Sequence, residues 1–292
     1  MNSWRAFSRI VATAIVFAAA SALVPVPQAA PARAANNVAN GRFVWHDLVT
    51  ADVMKSRAFY GQLFGWTFEA GAGIDPGYTI IKHQGQQIGG IVPREGTNVT
   101  AQWLSYVVVA DVDATAKSFE RGGGRLFRGP LNARKDLRVA VVADAQGASV
   151  GLVSRGPNVR DDGAVPAVNR WLWVEYVARD PDAALSFLGE SLGFEHEVGE
   201  TRDAFTYYLL KTDRPRVGLF RSPWPRDSSA WLPYVRVADP ARTAAHVVEL
   251  GGTVLVPPGP RVRNGSLAIV LDPEGAPIAL QKYPFDAGAT TP

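Results

Sequence analysis

The sequence predicts an α+β fold in which four βαβββ modules pair into two similar domains, and two repeats carry this prediction. The segment Trp103–Asp111 reads WLSYVVVAD and returns as WLPYVRVAD at Trp231–Asp239. Each copy precedes a helical pattern, a glycine run and an Asp-x-x-Gly turn. The segments Asp52–Trp66 and Asp180–Phe194 also match, with the same spacing from Asp to Phe. Repeats of this length indicate that one structural unit recurs along the chain.

The composition is that of a globular protein with material for two cores. The chain has 292 residues, of which 47% are hydrophobic. It contains no cysteine, so neither a disulfide framework nor a lipidated cysteine is expected. The stability of the fold must therefore come from packing.

Residues 1–34 have the pattern of a secretory signal peptide. Arg5 and Arg9 precede the uncharged apolar run Ile10–Leu23, and Ala32–Ala34 is a small-x-small cleavage signal. The run is short for a membrane span, which needs about 20 residues; an uncleaved anchor is the alternative. We expect a secreted or periplasmic protein that has no membrane association once the signal is removed.

The charge balance gives no evidence for nucleic-acid binding. Lys and Arg total 30, and Asp and Glu total 27. Arg5, Arg9 and Arg33 lie in the signal, which has no acidic residue. The remaining chain therefore carries equal numbers of basic and acidic side chains, and no nucleic-acid partner is expected.

The first two modules each read as a strand, a helix and three further strands. Asp52 is a suitable N-cap for the first helix, and Gly65 ends it. The first module has the strands Phe43–Val49, Trp66–Glu69, Tyr78–Lys82 and Gln87–Val92. The second has strand Leu104–Val109, a helix over Val112–Arg121, and strands Arg125–Phe127, Leu137–Val142 and Ser149–Val153.

Segment 156–169 is rich in Pro, Gly and charge, which predicts a linker between domains at 42–155 and 170–284. The third module has strand Trp171–Val177, helix Pro181–Leu192, and strands Phe194–Val198, Thr206–Lys211 and Val217–Phe220. The fourth starts at Trp231 and has helix Ala241–Leu250 and strands Leu267–Leu271 and Pro277–Gln281.

The motifs at Trp45–Trp66 and Tyr106–Ala114, with the Asp-x-x-Gly turns, resemble the vicinal oxygen chelate superfamily. That superfamily includes glyoxalase I, the bleomycin and fosfomycin resistance proteins and the extradiol dioxygenases. More narrowly, the chain is similar to bacterial tandem glyoxalase-like proteins over about residues 42–284. The resemblance implies two glyoxalase/bleomycin-resistance-type domains. Each would enclose a cavity with its curved sheets, and catalytic members hold a divalent metal there.

The resemblance also gives the positions of the metal ligands. A His is expected seven residues before each helix-start Asp, where this chain has Trp45, Leu104, Trp173 and Leu232. A Glu is expected seven residues after each turn Asp, where it has Gly151 and Ala279. None of these side chains binds a metal.

His46 is the one imidazole near a ligand position. Adjacent strand residues point to opposite faces, so His46 faces away from the cavity unless a bulge intervenes. We expect no standard metal site and no cofactor. A divalent metal is expected only if His46 and Asp47 hold a displaced ion.

Two carboxylates and two phenols lie two residues beyond the vacant ligand positions, on the same strand face. We expect Asp47 to face Tyr106 across the first cavity and Glu175 to face Tyr234 across the second. The indoles of Trp45 and Trp173 are expected on the same faces, and together with the two acids and two phenols they are ligand-binding candidates. Such a set could recognise a polar or cationic organic molecule, with or without proton transfer. It could equally be a buried hydrogen bond that fixes the modules together.

Arg138 completes the ligand-binding candidates. It lies six residues before Asp144, on the strand expected to lead into the first cavity. There it could clamp an anionic ligand or pair with Asp47. No catalytic residue is identified.

Three functions follow from these patterns. The leading hypothesis is an exported protein that binds a small organic molecule in an aromatic cavity without the standard metal site. The second is a metal-dependent lyase, isomerase or dioxygenase with a displaced metal. The third is an interaction module whose cavities are filled by side chains. Because the tandem arrangement supplies module pairing internally, a monomer or homodimer is expected.

Overall fold

The computed structural model describes residues 40–71, 76–96, 100–155, 165–202, 205–224 and 229–284. Within them, sixteen strands form two eight-stranded sheets, and four α-helices accompany the sheets. The predicted α+β fold of four βαβββ modules is confirmed. The predicted signal peptide and most of the predicted linker lie outside the described residues.

The first sheet and its helices form the first half of the molecule. Its helices are α1 (Val53–Phe64) and α2 (Val112–Arg121). Its strands are β1 (Phe43–Thr50), β2 (Thr67–Ala70), β3 (Thr79–His83), β4 (Gln86–Pro93), β5 (Gln102–Val108), β6 (Arg125–Arg134), β7 (Leu137–Ala143) and β8 (Ser149–Val153).

The second half repeats this order. Its helices are α3 (Pro181–Leu192) and α4 (Pro240–Glu249), and a 3-10 turn spans Arg263–Gly265. Its strands are β9 (Trp171–Ala178), β10 (Glu195–Arg202), β11 (Phe205–Lys211), β12 (Pro215–Arg221), β13 (Ala230–Arg236), β14 (Thr253–Val256), β15 (Leu267–Leu271) and β16 (Pro277–Gln281).

The two sheets have the same topology. The strand order is β2-β3-β4-β1-β5-β8-β7-β6 in the first and β10-β11-β12-β9-β13-β16-β15-β14 in the second. The opening strands of paired modules therefore lie antiparallel at the centre of each sheet, as β1 with β5 and β9 with β13. The closing strands flank them in parallel. This arrangement brings the middles of four strands together.

The caps predicted for α1 are confirmed. The carboxylate of Asp52 accepts a hydrogen bond from the backbone N–H of Lys55 at 2.9 Å, which satisfies one of the free donors of the first turn. Gly65 adopts the left-handed conformation (φ 68°), and its N–H donates to the carbonyl of Gly61. Because helix ends set where the flanking strands begin, these caps fix how β1 leads into α1.

The helices cover one face of each sheet, and this face forms two cores that both halves share. One core joins α2 to α3, where the rings of Phe119 and Phe187 lie 5.0 Å apart. The other joins α1 to α4 through Phe59 and Val247. On the opposite face, the buried clusters contain no helix residue. We call this the helix-free face.

The two Asp-x-x-Gly turns also link the halves. Asp144 Oδ1 accepts from the backbone N–H groups of Gln146 and Ala148, which closes its own turn. Its Oδ2 accepts from the hydroxyl of Tyr176 in the second half, at 2.5 Å. Asp144 therefore links its own turn to the opposite half.

Asp272 has the same role from the second half. Its Oδ2 accepts from the hydroxyl of Tyr60 in α1 at 3.0 Å, and that hydroxyl also accepts from the indole N–H of Trp103. Burial raises the pKa of Asp272 to about 6. The carboxylate is thus enclosed at the junction of the two halves.

Because the cores are shared, a cavity in one half should destabilise the whole molecule. Leu188 of α3 is fully buried in the core with α2. We expect Leu188→Ala to lower the free energy of unfolding by about 2–5 kcal/mol within one cooperative transition. Urea unfolding followed by tryptophan fluorescence and circular dichroism measures both.

The control is Val248→Ala, since Val248 is 56% exposed on α4. That change should alter the free energy of unfolding by no more than about 0.5 kcal/mol. Two separate transitions, of which Leu188→Ala shifts only one, would show that the halves are independent.

Candidate functional site

His46 and Asp47 point to opposite faces of β1. The His46 ring lies 4.2 Å from the ring of Trp171 on the helix side, and its Nδ1 lies 2.9 Å from Ser105 Oγ. A register shift occurs at the start of β1, between Phe43 and the next paired residue, but it does not turn His46 round. Burial lowers the pKa of His46 to about 3. The side chains of His46 and Asp47 therefore do not converge on one point in this structure.

The first half holds a buried carboxylate on the helix-free face. Asp47 is fully buried, and its Oδ1 accepts hydrogen bonds from Trp45 Nε1 and from the Tyr78 hydroxyl, both at 2.8 Å. Burial and the neighbouring Asp47 raise the pKa of Tyr106 well above its usual value. Trp45, Asp47 and Tyr106 thus lie together, as the sequence predicts.

The position of Tyr106 relative to Asp47 needs a correction. In the β1–β5 ladder Tyr106 pairs with Trp45, and Asp47 pairs with Leu104. The acid and the phenol are therefore diagonal neighbours on adjacent strands, within reach of each other. They do not face each other across a cavity, because the two opening strands pair directly.

The second half repeats this cluster, and a cation contacts its acid. Glu175 is 1% exposed, and it accepts hydrogen bonds from the hydroxyls of Tyr207, at 2.6 Å, and Tyr234. The guanidinium of Arg263 donates to the same carboxylate and forms an ion pair with it. The ladder pairs Trp173 with Tyr234, so the acid and phenol are again diagonal neighbours.

Arg263 comes from a turn of unusual backbone geometry. Arg263 (φ 44°) and Asn264 (φ 51°) both adopt left-handed conformations, which residues with a Cβ rarely do. The guanidinium lies 5.4 Å from the ring centre of Tyr207 and 5.6 Å from that of Tyr234. Burial alone would lower the pKa of Arg263, but Glu175 and the tyrosines raise it overall. The arginine therefore remains charged.

Small residues on the closing strands leave room for the tyrosines. They pair with the acids and phenols of the opening strands at four positions: Gly90, Gly151, Gly218 and Ala279. A Cβ at Gly90 would lie 1.9 Å from the hydroxyl oxygen of Tyr78, and one at Gly218 would lie 1.9 Å from that of Tyr207. The tyrosine side chains thus occupy the space that a longer residue would need.

Arg138 does not belong to the cluster, which corrects the sequence prediction. Its guanidinium pairs with Asp113 of α2 through two hydrogen bonds, one of 2.7 Å, and also donates to Asn132. Strand alternation explains the error. Val139 of β7 packs on the helix-free face, so Arg138 points to the helix side.

The two clusters differ in how they are covered. In the first half Trp45 is 1% exposed and donates directly to the buried acid. In the second half the equivalent Trp173 is only partly buried. It belongs to a partly exposed apolar rim around the cluster, formed by Leu172, Trp173, Leu209, Trp224, Leu255, Val256 and Val262. The second cluster is therefore the more accessible of the two.

Sequence reasoning missed Tyr78, Tyr207 and the role of Arg263. Tyr78 lies immediately before β3 and Tyr207 lies within β11, both outside the repeated opening-strand motif. The sequence does show that each tyrosine comes before a glycine-containing strand that closes its module. Arg263 stands in the turn between β14 and β15, outside the strands on which the sequence prediction was based.

Two features are absent from the described ranges. No group of three or more His, Asp or Glu residues lies close enough together to hold a metal ion. None of the described helices is long and apolar enough to cross a membrane.

Known protein families match both halves of the chain. The family described as bleomycin resistance protein-like N-terminal matches residues 42–84, and the glyoxalase-like domain family matches residues 172–281. A protein named "Putative glyoxylase CFP32" from Mycobacterium tuberculosis is 30% identical over 251 residues, which cover 82% of this chain and 93% of that protein. The anthracycline biosynthesis protein DnrV of Streptomyces peucetius is 29% identical, over 87% of this chain and 98% of its own.

Solved structures show the same fold at low identity. The Mn(II)-bound glyoxalase from Novosphingobium aromaticivorans has a TM-score of 0.55 at 14% identity, over 86% of this chain and 85% of its own. A variant of homoprotocatechuate 2,3-dioxygenase from B. fuscum has a TM-score of 0.56 at 16% identity, over 84% of this chain and 71% of its own. Likeness at these identities extends to the fold alone.

The buried His46 makes stability depend on pH. Below its ordinary pKa of 6.5 the unfolded chain takes up a proton at His46, whereas the folded chain does not until about pH 3. In that window His46 should lower the free energy of unfolding by about 1 kcal/mol per unit fall in pH. We expect His46→Gln to remove this part of the slope in urea unfolding between pH 6.5 and pH 4.

The matched control is His246→Gln, because His246 is exposed on α4 beside Glu249. It should keep the wild-type slope. If His46→Gln and wild type have the same pH slope, His46 is not buried as the structure places it.

The tyrosine packing predicts the effect of a methyl group at Gly218. Gly218→Ala places a Cβ against the Tyr207 hydroxyl and 3.0 Å from Glu175 Cγ. We expect a loss of about 1–3 kcal/mol in the free energy of unfolding, since overpacking must displace one of these groups. Gly259→Ala, with nothing within 4 Å, is the control and should change little. Equal effects of the two substitutions in urea unfolding would contradict the packing.

Proposed function

The chain belongs to the vicinal oxygen chelate superfamily as a tandem glyoxalase-like protein, and on that premise we propose that it binds a small organic molecule on the helix-free face of its second half. Binding would not use the divalent metal of the superfamily's catalytic members. The observation that carries this proposal is the buried Glu175–Arg263 pair beneath a partly exposed apolar rim.

A buried ion pair is a weak way to gain stability, because removing two charges from water costs several kcal/mol per ion. Here the pair lies among aromatic side chains, and one end of it is partly open: the side chain of Arg263 is 20% exposed, against 1% for Glu175. A few convergent polar groups within an apolar surround are typical of small-molecule sites. This favours a ligand site over a purely structural one.

The residues at the superfamily's ligand positions do not fit a metal ion. The opening strands carry indole and isobutyl side chains, at Trp45, Leu104, Trp173 and Leu232. The closing strands carry glycine and alanine, where the tyrosine rings fill the space. Zinc and similar ions need imidazole, thiolate or carboxylate donors, and none projects from these positions. No step of the function is therefore assigned to a metal.

The first half has a different part in this proposal. Asp47 is fully buried, and Trp45 and Tyr78 both donate to it. Because the indole of Trp45 is buried and donates to the acid, the cluster serves to join the two opening strands of its sheet. The first cluster is thus the structural counterpart of the second.

Export is the second part of the proposal. It rests on the basic start, apolar run and cleavage signal of residues 1–34. N-terminal sequencing of the protein recovered outside the cytoplasm tests it. A mature chain beginning after Ala34 supports export, and an intact N-terminus in the cytoplasmic fraction contradicts it.

Ligand binding is tested by thermal shift and calorimetry with the mature protein in EDTA. Because two relatives are named for anthracycline biosynthesis, anthracycline-type aromatic compounds should lead the library. A ligand at 100 times its Kd should stabilise the protein by about 2.7 kcal/mol. We expect binding that EDTA leaves unchanged and that Trp173→Leu weakens.

Two results would overturn the proposal. One is the absence of any ligand across a broad library. The other is a stoichiometric divalent ion in protein purified without chelators, with binding lost in EDTA. The second result would make the protein a metal-dependent enzyme of the superfamily.

A further inference from the structure

The chemistry of the ligand can be read from the unused donors of Arg263. A guanidinium has five N–H donors. Nη2 donates to Glu175 Oε1, and Nη1 donates to Gln281 Oε1 at 3.0 Å. Among the described residues, the other three N–H groups have no recorded acceptor. Arg263 therefore has donors to spare, on a side chain that is 20% exposed.

Gln281 fixes the orientation of this guanidinium. The amide of Gln281 is 2% exposed, and its Nε2 donates to the carbonyl and hydroxyl oxygens of Ser266 and to the carbonyl of Lys282. Since these acceptors hold the amide nitrogen, Gln281 must turn its oxygen to Arg263. The backbone at Arg263 and Asn264 is left-handed, and at Arg263 this conformation is unfavourable for a residue with a Cβ.

The charge of the site decides between ligand classes. Glu175 is paired with Arg263 and also accepts from two tyrosines, so three of the roughly four lone-pair sites of its carboxylate are used. A cationic ligand would have at most one remaining site, on a side chain that is 1% exposed. A ligand with an acceptor oxygen needs only the spare N–H groups of Arg263, which form short, strong bonds to carboxylates. This argues for the polar alternative of the sequence analysis and against the cationic one.

We propose that Arg263 recognises the ligand through a carboxylate or carbonyl oxygen attached to a flat aromatic ring. The ring would pack against the partly exposed indoles of Trp173 and Trp224, which pack on the same cluster as Tyr207 and Tyr234, the two rings near the guanidinium. Gln281 is a positioning residue that acts through Arg263. This inference rests on the proposed function, since it names the ligand class of the same site.

Three matched probes test the inference with the mature protein: 2-naphthoate, 2-acetylnaphthalene and 2-naphthylmethylamine. They share one ring system and differ in offering a carboxylate, a carbonyl or a cation. Calorimetry in EDTA should show that 2-naphthoate binds at least about tenfold more tightly than the amine, with the ketone between them. An amine that binds as tightly as the acid overturns the inference.

The variants separate recognition from folding. Arg263→Met should weaken 2-naphthoate binding by about 10-fold to 100-fold. Because this change leaves Glu175 buried without its cation, the double variant Glu175→Gln with Arg263→Met is the second test and should show the same loss while remaining folded by circular dichroism. Arg138→Gln, on the helix side, should bind like wild type.

The outcomes distinguish the two proposals. If neither the naphthalene probes nor any library compound binds the wild type, the proposed function fails and this inference fails with it. If compounds bind and the Arg263 variants bind 2-naphthoate like wild type, the function stands and the assignment to Arg263 is wrong.

Discussion

A carboxylate placed between central strands must be given hydrogen-bond donors, because burying an unpaired charge is too costly. Tyrosine hydroxyls supply donors to both such acids, Asp47 and Glu175. The tyrosine rings in turn need space, and glycine at Gly90 and Gly218 provides it. A closing strand that carries glycine has no side chain to offer a metal. The need to satisfy two buried acids thus accounts for the packing of the helix-free faces and for the glycines at Gly90 and Gly218.

The same acid–tyrosine bond joins the halves. On the helix side the turn acids Asp144 and Asp272 accept from Tyr176 and Tyr60, each contributed by the other half. These two tyrosines come from different elements, a strand and a helix, although the turns they reach are repeats of each other. The acid–tyrosine bond is therefore repeated in the two halves, although the two tyrosines do not occupy equivalent positions. Packing between α1 and α4 and between α2 and α3 completes the junction.

The repeats predicted the fold well because each module's order of elements appears twice in full. The cap at Asp52, the glycine at Gly65 and the clustering of Asp47 with Trp45 were also readable, since local chemistry determines them. Arg138 was assigned to the wrong face because its position was counted from a turn and not from the alternation of β7. Tyr207 and Arg263 depend on contacts between distant strands and loops, which no spacing within one strand reveals. The strand at Arg125 proved longer than predicted, as β6 continues with repeated register shifts through a polar segment that has no regular alternation.

The shared cores have a consequence for how such a chain can change over time. A destabilising mutation in the rim around Trp173 lowers the stability of the whole molecule, because α3 and α4 each pack on a helix of the first half. The stability provided by the buried cluster around Asp47 is therefore shared with the half that carries the rim. Substitutions in the rim are tolerated for as long as the folded molecule as a whole retains enough stability.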